Sequence, residues 1–180
     1  GDLVINETGS TVFTTHAATV TVTGTTDING TLTISTGTFN ADEEFDATGG
    51  NVTFTDAGAL VLSNTVTDLG TFTKSTSTVT YDEADAQTID NVTYNNLIID
   101  QNATKTAANN LDVDGNLTLS NSATLSMSGS NYTLDLEGDF TITSGTFTSG
   151  TGNHDVAGNW DDSGTSGGFV PSAGTVTLSG

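Results

Sequence analysis

The sequence contains no cysteine and no arginine, one proline, one methionine and two lysines, Lys74 and Lys105. Without cysteine there are no disulfides and no thiolate chemistry, so the fold has to be held by backbone ladders and packing. With two cations against 22 carboxylates, the formal net charge is −20. A chain this acidic has almost nothing with which to neutralise phosphates, which excludes nucleic acid and disfavours anionic membrane surfaces as partners. No apolar run approaches the roughly 18 residues of a membrane span, so no membrane insertion is expected. Long helix formers are scarce as well.

What remains is Thr, Ser, Gly, Asn and Asp, with 33% apolar residues that are mostly β-branched, aliphatic or aromatic. They are strictly patterned. A phrase of glycine, polar residue and large apolar residue recurs at Gly30, Gly50, Gly70, Gly115, Gly138 and Gly158, as in "DGNLTLS" (114–120), "EGDFTITS" (137–144) and "AGNWDDS" (157–163). Its period is near twenty residues. Cryptic copies fill the central gap at "DNVTY" (90–94) and "NNLIID" (95–100). Within each period apolar residues alternate with Thr or Ser, as in Leu32-Thr-Ile34, Val52-Thr-Phe54 and Val176-Thr-Leu178, which is the period of a strand with one buried face. Gly, Asn, Asp and Ser punctuate the runs as corners require.

A twenty-residue unit of short strands cannot bury its own apolar face, but stacked copies can. The expected fold is therefore all-β, a right-handed parallel β-helix (β-solenoid) of ~20-residue coils, about nine of them, in a rod roughly 40 Å long. It is read as one continuous solenoid over 1–180. Two loose super-repeats, about 1–80 and 81–180, follow from the likeness of "STVTYDEADAQTI" (77–89) to "GTVTLSG" (174–180) and of "NNLIID" to "GDLVIN" (1–6). The alternative is a pair of tandem β-sandwich modules, for which "DING" (27–30) supplies a hairpin signal.

The stretches "TVTYDEADAQTIDNVTYNNLIID" (78–100) and "LDVDGNLTLSNSATLSMSGSNYTLDLEGDFTITSGTF" (111–147) resemble the parallel β-helix repeats of large secreted bacterial adhesins and surface filament proteins. The likeness is close over 77–180 and loose over 1–76. It implies a stalk, fibre or adhesive rod at the extracellular cell surface. The opening "GDLVINE", which enters mid-pattern, is read as the start of a mature or excised segment of a secreted precursor.

Candidate sites are few. No Ser-His-Asp pattern is visible, no arginine can hold an acidic sugar, and adjacent Asp161 and Asp162 point to opposite faces of a strand, so no enzyme is expected. His16 and His154 are read as exposed turn residues. Asp42, Glu43, Glu44 and Asp46, and Asp82, Glu83 and Asp85, are the candidates for calcium, without the spacing of a known calcium loop. Sequons stand at Asn6, Asn29, Asn51, Asn91, Asn102, Asn116 and Asn131. Trp160 is expected in an aromatic column inside the coil, or else as a platform for surface glycans. Lys74 and Lys105 have no spacing that marks an isopeptide cross-link. An uncapped terminal coil is an unpaired sheet edge that templates association. The expected partner is the chain itself, head to tail or as a longer repeat array, through Leu3, Val4, Ile5 and Val12 at one end and Val170, Val176 and Leu178 at the other.

Overall fold

A computed structural model of the chain describes residues 1–6, 12–164 and 167–180, with the side chains of 12–14 outside that description. Among the described residues there is no helix, and 26 short strands follow one another around three faces. The first coil comprises β1 (Leu3–Ile5), β2 (Val12–Thr15) and β3 (Thr19–Val22), and the second β4 (Thr26–Ile28), β5 (Thr31–Ile34) and β6 (Thr38–Ala41). The third is β7 (Phe45–Asp46), β8 (Asn51–Phe54) and β9 (Ala59–Leu62), and the fourth β10 (Val66–Asp68), β11 (Thr71–Thr73) and β12 (Thr78–Tyr81). Next come β13 (Gln87–Ile89), β14 (Thr93–Tyr94) and β15 (Asn96–Ile99), then β16 (Thr104–Ala107), β17 (Leu111–Val113) and β18 (Leu117–Leu119). The seventh coil is β19 (Ala123–Ser126), β20 (Leu134–Leu136) and β21 (Phe140–Ile142), and the eighth β22 (Gly145–Thr148), β23 (His154–Val156) and β24 (Trp160–Asp161). β25 (Gly167–Val170) and β26 (Val176–Leu178) begin a ninth.

Every strand pairing is parallel and joins a strand to the one three places along, so the fold is a β-solenoid of eight full turns plus two strands. The sandwich alternative is overturned, because it needs antiparallel pairs and no described pairing is antiparallel. "DING" ends β4 and turns through Asn29 and Gly30 into β5, and is not a hairpin. The two cryptic copies of the phrase are β14 and β15, two faces of one coil.

The alternation read from the sequence holds in space. On the third face Phe39, Leu60, Val79, Leu97, Leu117, Phe140 and Trp160 stand in register, one per coil. All but Trp160 are fully buried. This face runs unbroken from β3 to β24, while the first and second faces each divide into two sheets between the fourth and fifth coils.

That seam is filled with polar groups. Tyr81 and Tyr94 are fully buried, their hydroxyls 2.8 Å apart. The Asp90 N–H donates to Tyr81 Oη (3.0 Å) and Tyr94 Oη donates to the Asp90 carbonyl (2.9 Å), which closes a ring of hydrogen bonds. Gln87 Nε2 reaches across to the Leu62 carbonyl at 3.1 Å. Lys105, which follows Gln87 in register, is buried and donates to the main-chain carbonyls of Glu83 and Asp85. Burial lowers its pKa, against the raising effect of Glu83 and Asp82 nearby. Lys74 spans the seam on the outside, with Nζ 2.6 Å from Asp114 Oδ2.

Candidate assembly interface

The glycine phrase explains itself at the corners. A Cβ on Gly138 would lie 2.3 Å from the Gly115 carbonyl, and one on Gly158 2.3 Å from the Gly138 carbonyl. These corners stack backbone on backbone, with no room for a side chain. The polar residue of the phrase forms a ladder beside them. The Asn116 N–H donates to Asn96 Oδ1 (3.0 Å), the Asp139 N–H to Asn116 Oδ1 (2.9 Å) and the Asn159 N–H to Asp139 Oδ1 (2.8 Å). Each side-chain oxygen thus receives the backbone N–H of the equivalent residue one coil further on. Gly30, Gly50 and Gly70 precede strands of the second face, whereas Gly115, Gly138 and Gly158 precede strands of the third. The repeat changes face across the seam, where the interval from Gly70 to Gly115 departs from the twenty-residue spacing.

Among the described residues, no strand pairs with the outer edge of β1 or of β24, β25 and β26. At the first, Ile5 is 1% exposed and Leu3 half-buried, both facing inward, whereas Val4 faces outward beside Asp27 and is 52% exposed. Val12 pairs with Thr31 through its backbone, but its side chain lies outside the described residues. At the other end, Trp160, Phe169, Val176 and Leu178, one or two from each of the last three strands, line a cavity of about 310 Å³. Leu178 is 61% and Phe169 36% exposed. Val176 and Leu178 follow the inward-facing His154 and Val156 in register, so they are the cut end of the core. Val170 follows Thr148 on the outer surface.

Trp160 lies within the aromatic column, its ring centroid 4.6 Å from Phe140 and 5.4 Å from Phe169. His16 is exposed. His154 is not, and here the expectation of an exposed turn residue is corrected. It faces inward on β23 at 1% exposure. Its Nδ1 accepts from the Leu134 N–H (3.0 Å) while Nε2 meets the Ser149 carbonyl (2.7 Å), which defines a neutral ring with the proton on Nε2. Burial pushes its pKa down. The H-D-V alternation on β23 carried the signal, since it places His154 on the face of Val156.

Five of the seven carboxylates named for calcium accept hydrogen bonds. Asp42 accepts from Asn40 Nδ2 (2.8 Å), Glu43 from Asn64 Nδ2 (3.2 Å), Glu44 from Thr67 Oγ1 (2.7 Å), Asp46 from the Thr48 N–H (2.9 Å) and Glu83 from the Asp85 N–H (3.1 Å). Among the described residues no group of three or more His, Asp or Glu side chains is placed to hold a metal ion. Asp161 accepts from the Ser163 N–H (2.9 Å), and hydrogen bonds from Ser163 lower its pKa. The sequon asparagines are exposed or half-exposed. No family model, curated protein or solved structure matches the chain.

Proposed function

We propose that this chain is a structural segment of an extracellular surface filament or adhesin stalk, extended end to end by stacking of strand edges. The observation that carries the reading is the open apolar cavity ringed by Trp160, Phe169, Val176 and Leu178, in which Phe169 and Leu178 are exposed. Exposed apolar core and unpaired strand edges at one place are the two conditions for templated association. The opposite end offers the complementary edge of β1, so contacts between copies are heterologous and propagate. A net charge of −20 favours this axial contact, because lateral approach of two rods is opposed by repulsion along their whole length. The role is mechanical, and the surface location rests on the resemblance to secreted adhesin repeats. Cryo-electron microscopy over a concentration series tests it. Fibres one solenoid wide, lengthening with concentration, are the expected result, and particles that stay single at the highest concentration would sink the reading.

A further inference from the structure

The sheet of β14, β17, β20, β23 and β26 has one irregular step. On either side of it, the rung at the start of the strand is made by main chain. The Leu111 N–H donates to the Thr133 carbonyl (2.8 Å), and the His154 N–H to the Thr175 carbonyl (2.7 Å). Leu111 accordingly pairs with Leu134, and His154 with Val176. Between β20 and β23 the pairing starts one residue later, at Asp135 and Asp155. There the Leu134 N–H donates to a side chain, His154 Nδ1, at 3.0 Å. A cavity of about 280 Å³ opens at this step, with Leu134, His154, Asn153, Asp135 and Asp155 in its lining.

The imidazole stands in for a carbonyl in one protonation state only. Nδ1 accepts while it carries no proton, and the Nε2–H is held by the Ser149 carbonyl at 2.7 Å. A second proton has one place to go, Nδ1. It sets two donors against each other and leaves the buried Leu134 N–H without an acceptor. Nothing inside the coil compensates the added charge. The ring lies edge to face with Phe147, centroids 5.3 Å apart. Among the described residues, every inward position from β17 to β26 other than His154 itself is uncharged, and so is the corner 149–153. The titratable groups at this step are Asp135 on β20 and Asp155 on β23, both on the outer surface, with Asp112 one coil below.

We infer that His154 is an acid-released latch: its neutral ring completes the backbone ladder between the seventh and eighth coils, and a proton on Nδ1 opens that one step. The other two faces stay joined there, β19 with β22 and β21 with β24. Acid therefore loosens the rod on one face and leaves it folded. The freed imidazolium lies beside Asp135 and Asp155, whose carboxylates attract it and repel each other across the step. Both effects favour the open form. In the open step the ring titrates near its free value of ~6.5, whereas burial keeps the closed ring lower. The latch is thus complete above pH ~6.5 and weakens about tenfold per pH unit below it, down to the pKa of the closed ring. It acts within a single copy and does not depend on end-to-end stacking.

Two measurements on the unsubstituted chain test this. At pH 7.5 the N–H···N bond should give a scalar coupling between the Leu134 amide nitrogen and His154 Nδ1 in nitrogen-15-labelled protein. Absence of that coupling overturns the latch. Amide exchange is then followed from pH 7.5 to 5, with rates corrected for their intrinsic pH dependence. Protection of the Leu134 N–H is expected to fall roughly 10- to 30-fold below pH ~6.5 and to end below that of Leu111 and of the His154 main chain. Leu134 protection that stays flat shows that the ring is not what opens the step. Protection that stays level with the other two amides shows that the whole fold opens and not one step. Either result overturns the latch. His154→Gln offers an acceptor that takes up no proton, so the Leu134-specific loss should vanish there, and its persistence also counts against the latch. The first two readings stand however well that variant folds.

Discussion

Gly138 lies where two turns of backbone touch, and it is the residue type least free to change. A methyl there meets the Gly115 carbonyl and Asn116 Oδ1 at 2.3 and 2.7 Å. Neither is the flexible end of a long side chain. Gly138→Ala should cost about 1–3 kcal/mol, read as a lower urea midpoint, because the coils must part to admit it. His154 makes a pH prediction. Its ring is neutral in the fold, with a pKa below the unfolded value. Below pH ~6.5 the unfolded chain binds a proton that the folded chain resists, so this contribution to stability falls as pH falls. Thermal melts between pH 7.5 and 5 should show the loss, and His154→Gln should show less of it. An equal pH dependence in both proteins would refute the assignment.

At the scale of elements, the seam between the fourth and fifth coils stands apart. Two of three faces lose their ladder there, and buried side chains join the halves instead. Tyr94→Phe removes the hydroxyl that joins Tyr81 to the Asp90 carbonyl, leaving that carbonyl without its donor and Tyr81 with the Asp90 N–H alone. The expected cost is about 1–3 kcal/mol, with faster amide exchange in β10 and β13 than in β18. Uniform exchange along the rod would show the seam to be no weaker than the rest. The outer surface holds a second device, since Asp112, Asp135 and Asp155 stand in register on β17, β20 and β23 and not at turns. Like charges directly opposite repel. Asp135→Asn should raise the melting temperature at low ionic strength. The gain should vanish near 1 M salt, where screening acts within about 3 Å.

For the whole molecule, the proposed assembly uses the stacking rule that holds the fold, and on that proposal the last coil is a growing edge. Leu178 is largely exposed and would be covered in the proposed stack. Leu178→Asp should therefore leave the melting transition of the single copy nearly unchanged. Burial of a leucine is worth about 1.5–3 kcal/mol, so the concentration needed for fibres should rise roughly 10- to 100-fold. Sedimentation of fibres across a dilution series measures this. An unchanged threshold would place the joint elsewhere.

The sequence by itself determined the strands, their inward residues and the stacking. Period-two alternation decides which side chains share a face, and a period near twenty decides what lies above what. Leu97, Leu117 and Phe140 could be placed in one column from spacing alone. Even the inward positions of Lys105 and His154 were legible in T-K-T-A and H-D-V, had alternation been weighed above polarity. Only the tertiary structure decided the number of faces, the seam, and the face on which each phrase falls. Face is a running count of strands. A corner can gain or lose a few residues without changing the local pattern, as between Gly70 and Gly115, so spacing loses the count where backbone pairing keeps it.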